Sequence, residues 1–271
     1  MRSAIKSLDD LGFKNARTQR STKIRDKYER SCYSVWTMIF SIGRQEKGSR
    51  RSGSFTQGER TRQTILAGAM KIAAREGLAA VTIGRLAKEL RMSKSGLISH
   101  FGSKHALELA TLETARRVFA DAVTRPAQAK RGGIERVWSV CDFWLQHIEQ
   151  RLFAGPYFFT GTFLEHVDQR GPIAEAVTAI AQEWFNALRK AVEEAQEKGE
   201  INPKAGPKQV TWELNGLLIG AQWAYLLKHG DCWREARPAL LEKLRKLATG
   251  KIPPSALASE RDWRKYLQRK S

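Results

Sequence analysis

Thr82-Ile83-Gly84-Arg85-Leu86-Ala87-Lys88-Glu89-Leu90-Arg91-Met92-Ser93-Lys94-Ser95-Gly96-Leu97-Ile98-Ser99-His100-Phe101 is the stretch that decides the fold. Thr82 is a good N-cap, and Ile83, Leu86, Ala87 and Leu90 fall on one face of the helix that follows. Arg91-Met92 makes a short turn. Ser93 then caps a second helix, Ser93 to His100, from which Leu97 and Phe101 point inward four residues apart. Upstream, a longer helix from Gly58 to Glu76 places Ile65, Leu66, Ala69, Ile72 and Ala73 on one apolar face, and Gly77 is the expected stop. Two short helices joined by a tight turn, with a first helix packed across them, is the helix-turn-helix plan.

The exposed side of the last short helix is small and polar: Lys94, Ser95, Gly96, Ile98, Ser99 and His100. Such a surface enters a major groove without a steric barrier, and Gly102-Ser103-Lys104 opens a further helix whose N-terminal N–H groups and cation suit a phosphate. Charge agrees with this. The chain of 271 residues has a formal net charge of +19, with 47 Lys/Arg against 28 Asp/Glu. Residues 58–105 hold nine Lys/Arg and three Asp/Glu, whereas residues 106–249 hold 19 and 18, so a polyanion is drawn to the ends of the sequence rather than to its body.

The run from Val81 to Leu107 resembles the DNA-binding domain of the TetR/AcrR family of bacterial regulators. The matching positions are Thr82, Leu86-Ala87, Ser93-Lys94, Leu97, His100-Phe101, Ser103-Lys104 and Leu107. Two positions depart from the family pattern: Ser95 stands where Gly is usual, with Gly96 one residue later, and Ile98 replaces a Tyr that contacts phosphate in the family. Ile98 has no hydrogen-bond donor to offer. The resemblance implies an all-α fold, with an N-terminal three-helix helix-turn-helix domain and a C-terminal helical domain for ligand binding and dimerisation. It implies that Lys94, Ser95, Gly96 and Ser99 read bases or adjacent phosphates, with Thr82, Arg85, Ser93, His100 and Lys104 as further DNA-binding candidates.

Four segments follow: a basic extension (1–57) ending in a Gly/Ser/Arg run, the helix-turn-helix domain (58–105), a helical effector and dimerisation domain (106–249), and a basic tail (250–271). Within the third, four aromatics lie between Gly155 and Phe163. An apolar pocket is expected from Trp138, Trp144, Tyr157, Phe158, Phe159, Phe163, His166 and Trp184, for a small apolar or amphipathic effector. A stripe of Val177, Ile180, Ala181, Trp184 and Leu188, and another of Leu214, Leu217, Gly220, Ala221 and Tyr225, fit a homodimer interface. Packing inside one chain uses the same pattern, and the family's pairing through two long helices favours the interface.

Other functions find less support. The chain has no HExxH, CxxC, GxSxG or GxxxxGK[ST] motif, so neither an enzyme nor a cofactor is expected. Glu165, His166 and Asp168 are the best remaining constellation for a small helical enzyme. Sequence-independent DNA compaction is the other alternative, given the basic ends. The longest apolar run, Tyr33 to Ile42, is about half the ~20 residues a bilayer-spanning helix requires. Cys32, Cys141 and Cys232 are too far apart for a disulfide framework or metal site and fit a cytoplasmic, nucleoid-associated protein. The expectation is a transcription regulator, a repressor that holds a palindromic operator as a homodimer and leaves it when the effector binds.

Overall fold

The computed structural model describes residues 56–149, 157–166, 168–227 and 233–250. The basic extension up to residue 55, with its apolar run Tyr33 to Ile42, and the tail 251–271 lie outside the described residues. Among the described residues the chain is helical, and its only pairing of strand type is an isolated bridge between Ile201 and Ala248.

Helix α1 (Gln57–Glu76) begins at a reciprocal cap: Thr56 Oγ1 accepts from the Glu59 N–H, and the Glu59 carboxylate accepts from the Thr56 N–H. Gly77 ends it at φ 87°, and a short 3₁₀ turn, Leu78–Ala80, leads to α2 (Ile83–Leu90). Thr82 caps α2 and Ser93 caps α3 (Lys94–Phe101); each hydroxyl oxygen accepts the N–H three residues on. The α1–α2 contact is tight at Gly68, where a Cβ would sit 3.2 Å from Leu90 Cδ2 and 3.3 Å from Leu86 Cδ2.

The turn between α2 and α3 is made by Arg91 in the left-handed region, φ 54° and ψ 42°, with its N–H donating back to the Ala87 and Lys88 carbonyls. A β-carbon is disfavoured there by about 1–2 kcal/mol, against which glycine's extra unfolded-state freedom sets about 0.5–1. Arg91→Gly is therefore expected to raise unfolding free energy by roughly 0.5–1 kcal/mol, measured by urea denaturation.

Helix α4 (Lys104–Phe119) runs out of this head and widens into a π turn at Ala120–Thr124 before the short helix Arg125–Gln128. Pro126 explains the widening: it has no N–H, and its ring crowds the carbonyl four residues earlier, at Ala122. The rest is α5 (Ile134–Glu149), α6 (Tyr157–His166), α7 (Pro172–Glu197), α8 (Pro207–Leu226) and α9 (Trp233–Leu247). Pro172 and Pro207 occupy first helical positions, where a missing N–H costs nothing. Pro238 reads as a break in the sequence but lies inside α9.

Two buried clusters hold the chain together. One unites α1–α4 with Phe158 of α6 and Ile173 and Val177 of α7. The other joins α5, the later half of α7, α8 and α9 around Trp138, Leu145, Leu188, Leu214 and Leu240. In the second cluster Arg237 is 5% exposed, its Nε 2.6 Å from Asp142 Oδ1 and its Nη2 3.3 Å from Glu149 Oε2.

Candidate nucleic-acid interface and effector cavity

Helix α3 presents Lys94, Ser95, Ile98 and Ser99 to solvent, while Leu97 and Phe101 are buried against α1 and α2. Gly96 and His100 are half-buried. The Ser93 hydroxyl caps the helix, 3.0 Å from the Gly96 N–H, and the Ser99 hydroxyl donates to the Gly96 carbonyl at 2.8 Å. The Ser99 oxygen keeps its lone pairs for a donor from outside, while the Ser93 hydroxyl also lies 3.3 Å from the Ser95 hydroxyl. Arg62 of α1 fixes the far end of α3: its guanidinium lies 4.1 Å from the Phe101 ring centre and donates to the His100 carbonyl. Arg62 carries no local signal in the sequence, because its partner lies 38 residues away. Ser103 caps α4, and Lys104 at its first position is exposed and 3.2 Å from Glu108 Oε1.

Arg85 stands apart from the other DNA-binding candidates. Its two terminal nitrogens each lie 2.6 Å from a Glu76 oxygen, and its Nε is 3.2 Å from Glu89. The hydrogen bonds to Arg85 hold the Glu76 carboxyl below its ordinary range, and Glu76 in turn holds the guanidinium protonated. This fork pins α2 to the end of α1, so Arg85's charge is already answered within the head. Thr82 is exposed, and its hydroxyl caps α2 by accepting from the Arg85 N–H at 3.2 Å.

The Glu165, His166 and Asp168 constellation does not assemble. The Glu165 carboxylate lies against the Gly77 backbone, the His166 Nδ1 is 2.9 Å from the Thr162 carbonyl oxygen on its own helix, and Asp168 is exposed. Among the described residues no three His, Cys, Asp or Glu side chains gather in a way that could hold a metal ion.

A cavity of ≈330 Å³ opens between α4, α5, α6, α7 and α8. Of the expected pocket residues, Trp144, Phe158, Phe159, Phe163 and Trp184 line it. Trp138 does not: it is buried in the α5–α9 cluster. His166 turns back onto α6, and the side chain of Tyr157 lies outside the described residues. Val177, Ile180 and Ala181, expected at a dimer interface, line the cavity instead, together with Phe119, His147, Thr160, Asn215 and Gln222, which the sequence reading missed. Asn215 and Gln222 are seven apart, two turns along the mostly apolar inner face of α8, and that spacing is a readable signal. Phe119 is the hub of the walls, edge-on to His147, Phe159 and Trp184 with ring centres 5.4–5.8 Å apart. The polar atoms pair in two couples: Trp184 Nε1 donates to Asn215 Oδ1, and Gln222 Nε2 donates to Thr160 Oγ1, both at 2.8 Å.

His147 is 8% exposed, and burial pushes its pKa down to about 4. The unfolded chain, near 6.5, takes up this proton first as pH falls, so the contribution to stability is full above pH 6.5 and shrinks steadily toward pH 4. The loss amounts to roughly 3 kcal/mol over that window. Urea unfolding at pH 7.5, 6 and 5 should show this decline in the native sequence and a shallower one in His147→Phe.

The expected dimer stripes divide differently in three dimensions. Val177, Leu188, Leu214 and Ala221 are buried within one chain and have no surface left for a partner. Trp184 lines the cavity; Leu217 and Tyr225 pack partly buried against the second cluster. Gly220 is exposed, and with Trp212, Gly216, Trp223 and, just past the helix end, Leu227 it forms one outward stripe along α8. Trp212 is 73% exposed and Trp223 46%, and a Cβ on Gly216 or Gly220 would meet nothing within 4 Å. Such a stripe of large and small residues accepts a close-packed helix.

Comparison with known proteins finds a match for the head and another for the body. Residues 65–111 match the family described as bacterial regulatory proteins, tetR family, and residues 133–240 match a tetracyclin repressor-like C-terminal domain. The HTH-type transcriptional repressor NicS of Pseudomonas putida is 28% identical over 155 residues, which cover 53% of this chain and 66% of that protein, just under two thirds. A TetR transcriptional regulator from Chloroflexus aurantiacus superposes with a TM-score of 0.65 at 22% identity, over 71% of this chain and 98% of the other. AibR, solved in complex with isovaleryl coenzyme A and operator DNA, superposes with a TM-score of 0.50 at 20% identity, over 60% and 85%. No described helix is long and apolar enough to cross a membrane. A capped helix-turn-helix head joined to a helical body, each matched by its own family model, makes this chain a member of the TetR family of bacterial regulatory proteins.

Proposed function

We propose that the chain is a sequence-specific transcription regulator, a repressor that holds a palindromic operator as a homodimer and releases it when a small molecule fills the cavity. The head comprises residues 58–105 and the effector and dimerisation body residues 106–249. Lys94, Ser95, Gly96 and Ser99 read base edges or flanking phosphates, and Ser93, His100 and Lys104 meet the backbone. The α8 stripe from Trp212 to Leu227 pairs the two copies, and the protein works in the cytoplasm, at the nucleoid.

One observation carries this reading: the cavity and the head share side chains. Phe158 and Val177 line the cavity and also belong to the buried cluster of α1–α4. At the other end of α6, the Glu165 carboxylate is so close to α1 that a Cβ on Gly77 would come within 1.9 Å of it. An occupant that moves α6 therefore moves packing that orients α3. Coupling of about 1–3 kcal/mol is typical, and it requires an effector that prefers one head spacing over the other.

Selection of bound sites from random duplexes tests the proposal. A twofold-symmetric consensus is expected, bound about 10³-fold or more above unselected DNA at physiological salt. Equal affinity for every duplex would instead make the chain a DNA-compacting protein. On the selected site, Lys104→Ala should weaken binding to all sequences alike and lower the slope of log affinity against log salt by about one unit.

A further inference from the structure

We infer that the cavity takes an uncharged, largely aromatic compound carrying a hydrogen-bond acceptor such as a ketone oxygen, and that Asn215 and Thr160 read that acceptor. The inference rests on the effector reading of this cavity and names the chemical class.

Among the described lining residues there is no Lys, Arg, Asp or Glu. An ionised ligand buried here has no opposite charge to meet, and burying an unpaired charge is prohibitive. A carboxylate, or a thioester carrying phosphates, is thereby disfavoured. A cation would meet ring faces and the neutral side-chain oxygens of residues such as Thr160 and Gln222, with no carboxylate among the described lining residues to balance it. The walls instead suit a flat neutral ring: Trp144 and Trp184 lie 6.4 Å apart at 31°, and Phe119 is set edge-on beside Trp184. The volume, ≈330 Å³, is at the small end of the range for ligand pockets, about 300–1,000 Å³.

The polar groups set the sense of the hydrogen bond. Asn215 Oδ1 already accepts from Trp184 Nε1, and its Nδ2 has no partner among the described residues. Thr160 Oγ1 already accepts from Gln222 Nε2, which leaves the hydroxyl proton to donate. Both residues line the cavity, so what they offer a ligand is two donors. The complement of two donors in an uncharged aromatic cavity is an acceptor oxygen on a neutral ring system.

Three probes of one shape separate the possibilities: 2-acetylnaphthalene, 2-naphthoate and 2-naphthyltrimethylammonium. Their affinities for the full chain, without DNA, are read from quenching of tryptophan fluorescence. The neutral ketone should bind about tenfold or more tighter than either ion. Thr160→Val and Asn215→Asp should each weaken the ketone by about tenfold, and Asn215→Asp, which keeps the acceptor for Trp184 but adds a negative charge, should improve the ammonium. Thermal melting of each variant without probe checks that it is folded. Equal or tighter binding of naphthoate or the ammonium, no binding of any probe, or ketone affinity unchanged in both variants would overturn the inference. A probe that binds as expected yet leaves operator affinity unchanged would count against the release mechanism and not against the ligand class.

Discussion

Ser99→Glu should abolish operator binding, with a loss of roughly 100-fold or more, while the chain stays folded. Ser99 is exposed at the middle of α3, in a surface of Lys94, Ser95 and Ile98 that carries no acid. A carboxylate there enters a groove walled by phosphates, and like charges brought together at an interface cost several kcal/mol. The fold should be indifferent, because the only bond lost is an exposed one from the Ser99 hydroxyl to the Gly96 carbonyl. Ser99→Ala loses that bond without adding charge and should weaken binding by about tenfold, in the lower part of the ~1–3 kcal/mol assigned to a base contact. Fluorescence anisotropy on the selected duplex measures both, with far-UV circular dichroism as the check on folding. Equal affinities of Ser99→Glu and the native chain would remove α3 from the interface.

A second large effect is expected far from DNA. Asp142→Ala should lower unfolding free energy by about 3–5 kcal/mol. Arg237 is almost wholly buried, and Asp142 holds its Nε at 2.6 Å while accepting from Gln146 Nε2 at 2.7 Å through the other oxygen. Glu149 is a longer contact on the exposed edge and cannot replace the short one. Removing Asp142 takes away the shortest contact of a buried guanidinium and leaves its Nε without that carboxylate. Replacing both partners with apolar side chains, Asp142→Leu with Arg237→Met, should recover most of the loss, because nothing charged is then left inside. Urea denaturation at pH 7.5 separates the three proteins. The pair also has a bearing on function: it docks α5 onto α9, and α5 carries Trp144 and His147 into the cavity wall.

What could be read from the sequence was local. Thr82 and Ser93 are identified as caps because a cap depends only on the three or four residues after it. The inward set Leu86, Ala87, Leu97 and Phe101 follows from helix period alone, and these residues are buried. Period says which side chains share a face and is silent about what lies opposite. Val177 and Leu188 share a stripe of α7, yet Val177 belongs to the head's cluster and Leu188 to the body's. Trp138 and Trp144 sit on the same helix, and only Trp144 reaches the cavity. The Arg85–Glu76 fork spans a glycine, a 3₁₀ turn and a cap, so no fixed spacing announces it. Trp212 and Trp223 would be expected inside on chemistry alone. Their exposure emerges only when the neighbours of α8 are known.

The central claim is that α3 of each of two copies lies in successive major grooves. Tethered cleavage tests it most directly. With Cys32 and Cys232 changed to Ser and Cys141 buried, a Ser99→Cys chain carrying an iron chelate on its thiol is bound to the selected duplex, and strand scission is mapped. Two symmetric clusters of cuts centred one helical turn apart, about 10–10.5 base pairs, are predicted. A single cluster, or scission spread evenly along the duplex, would contradict the account.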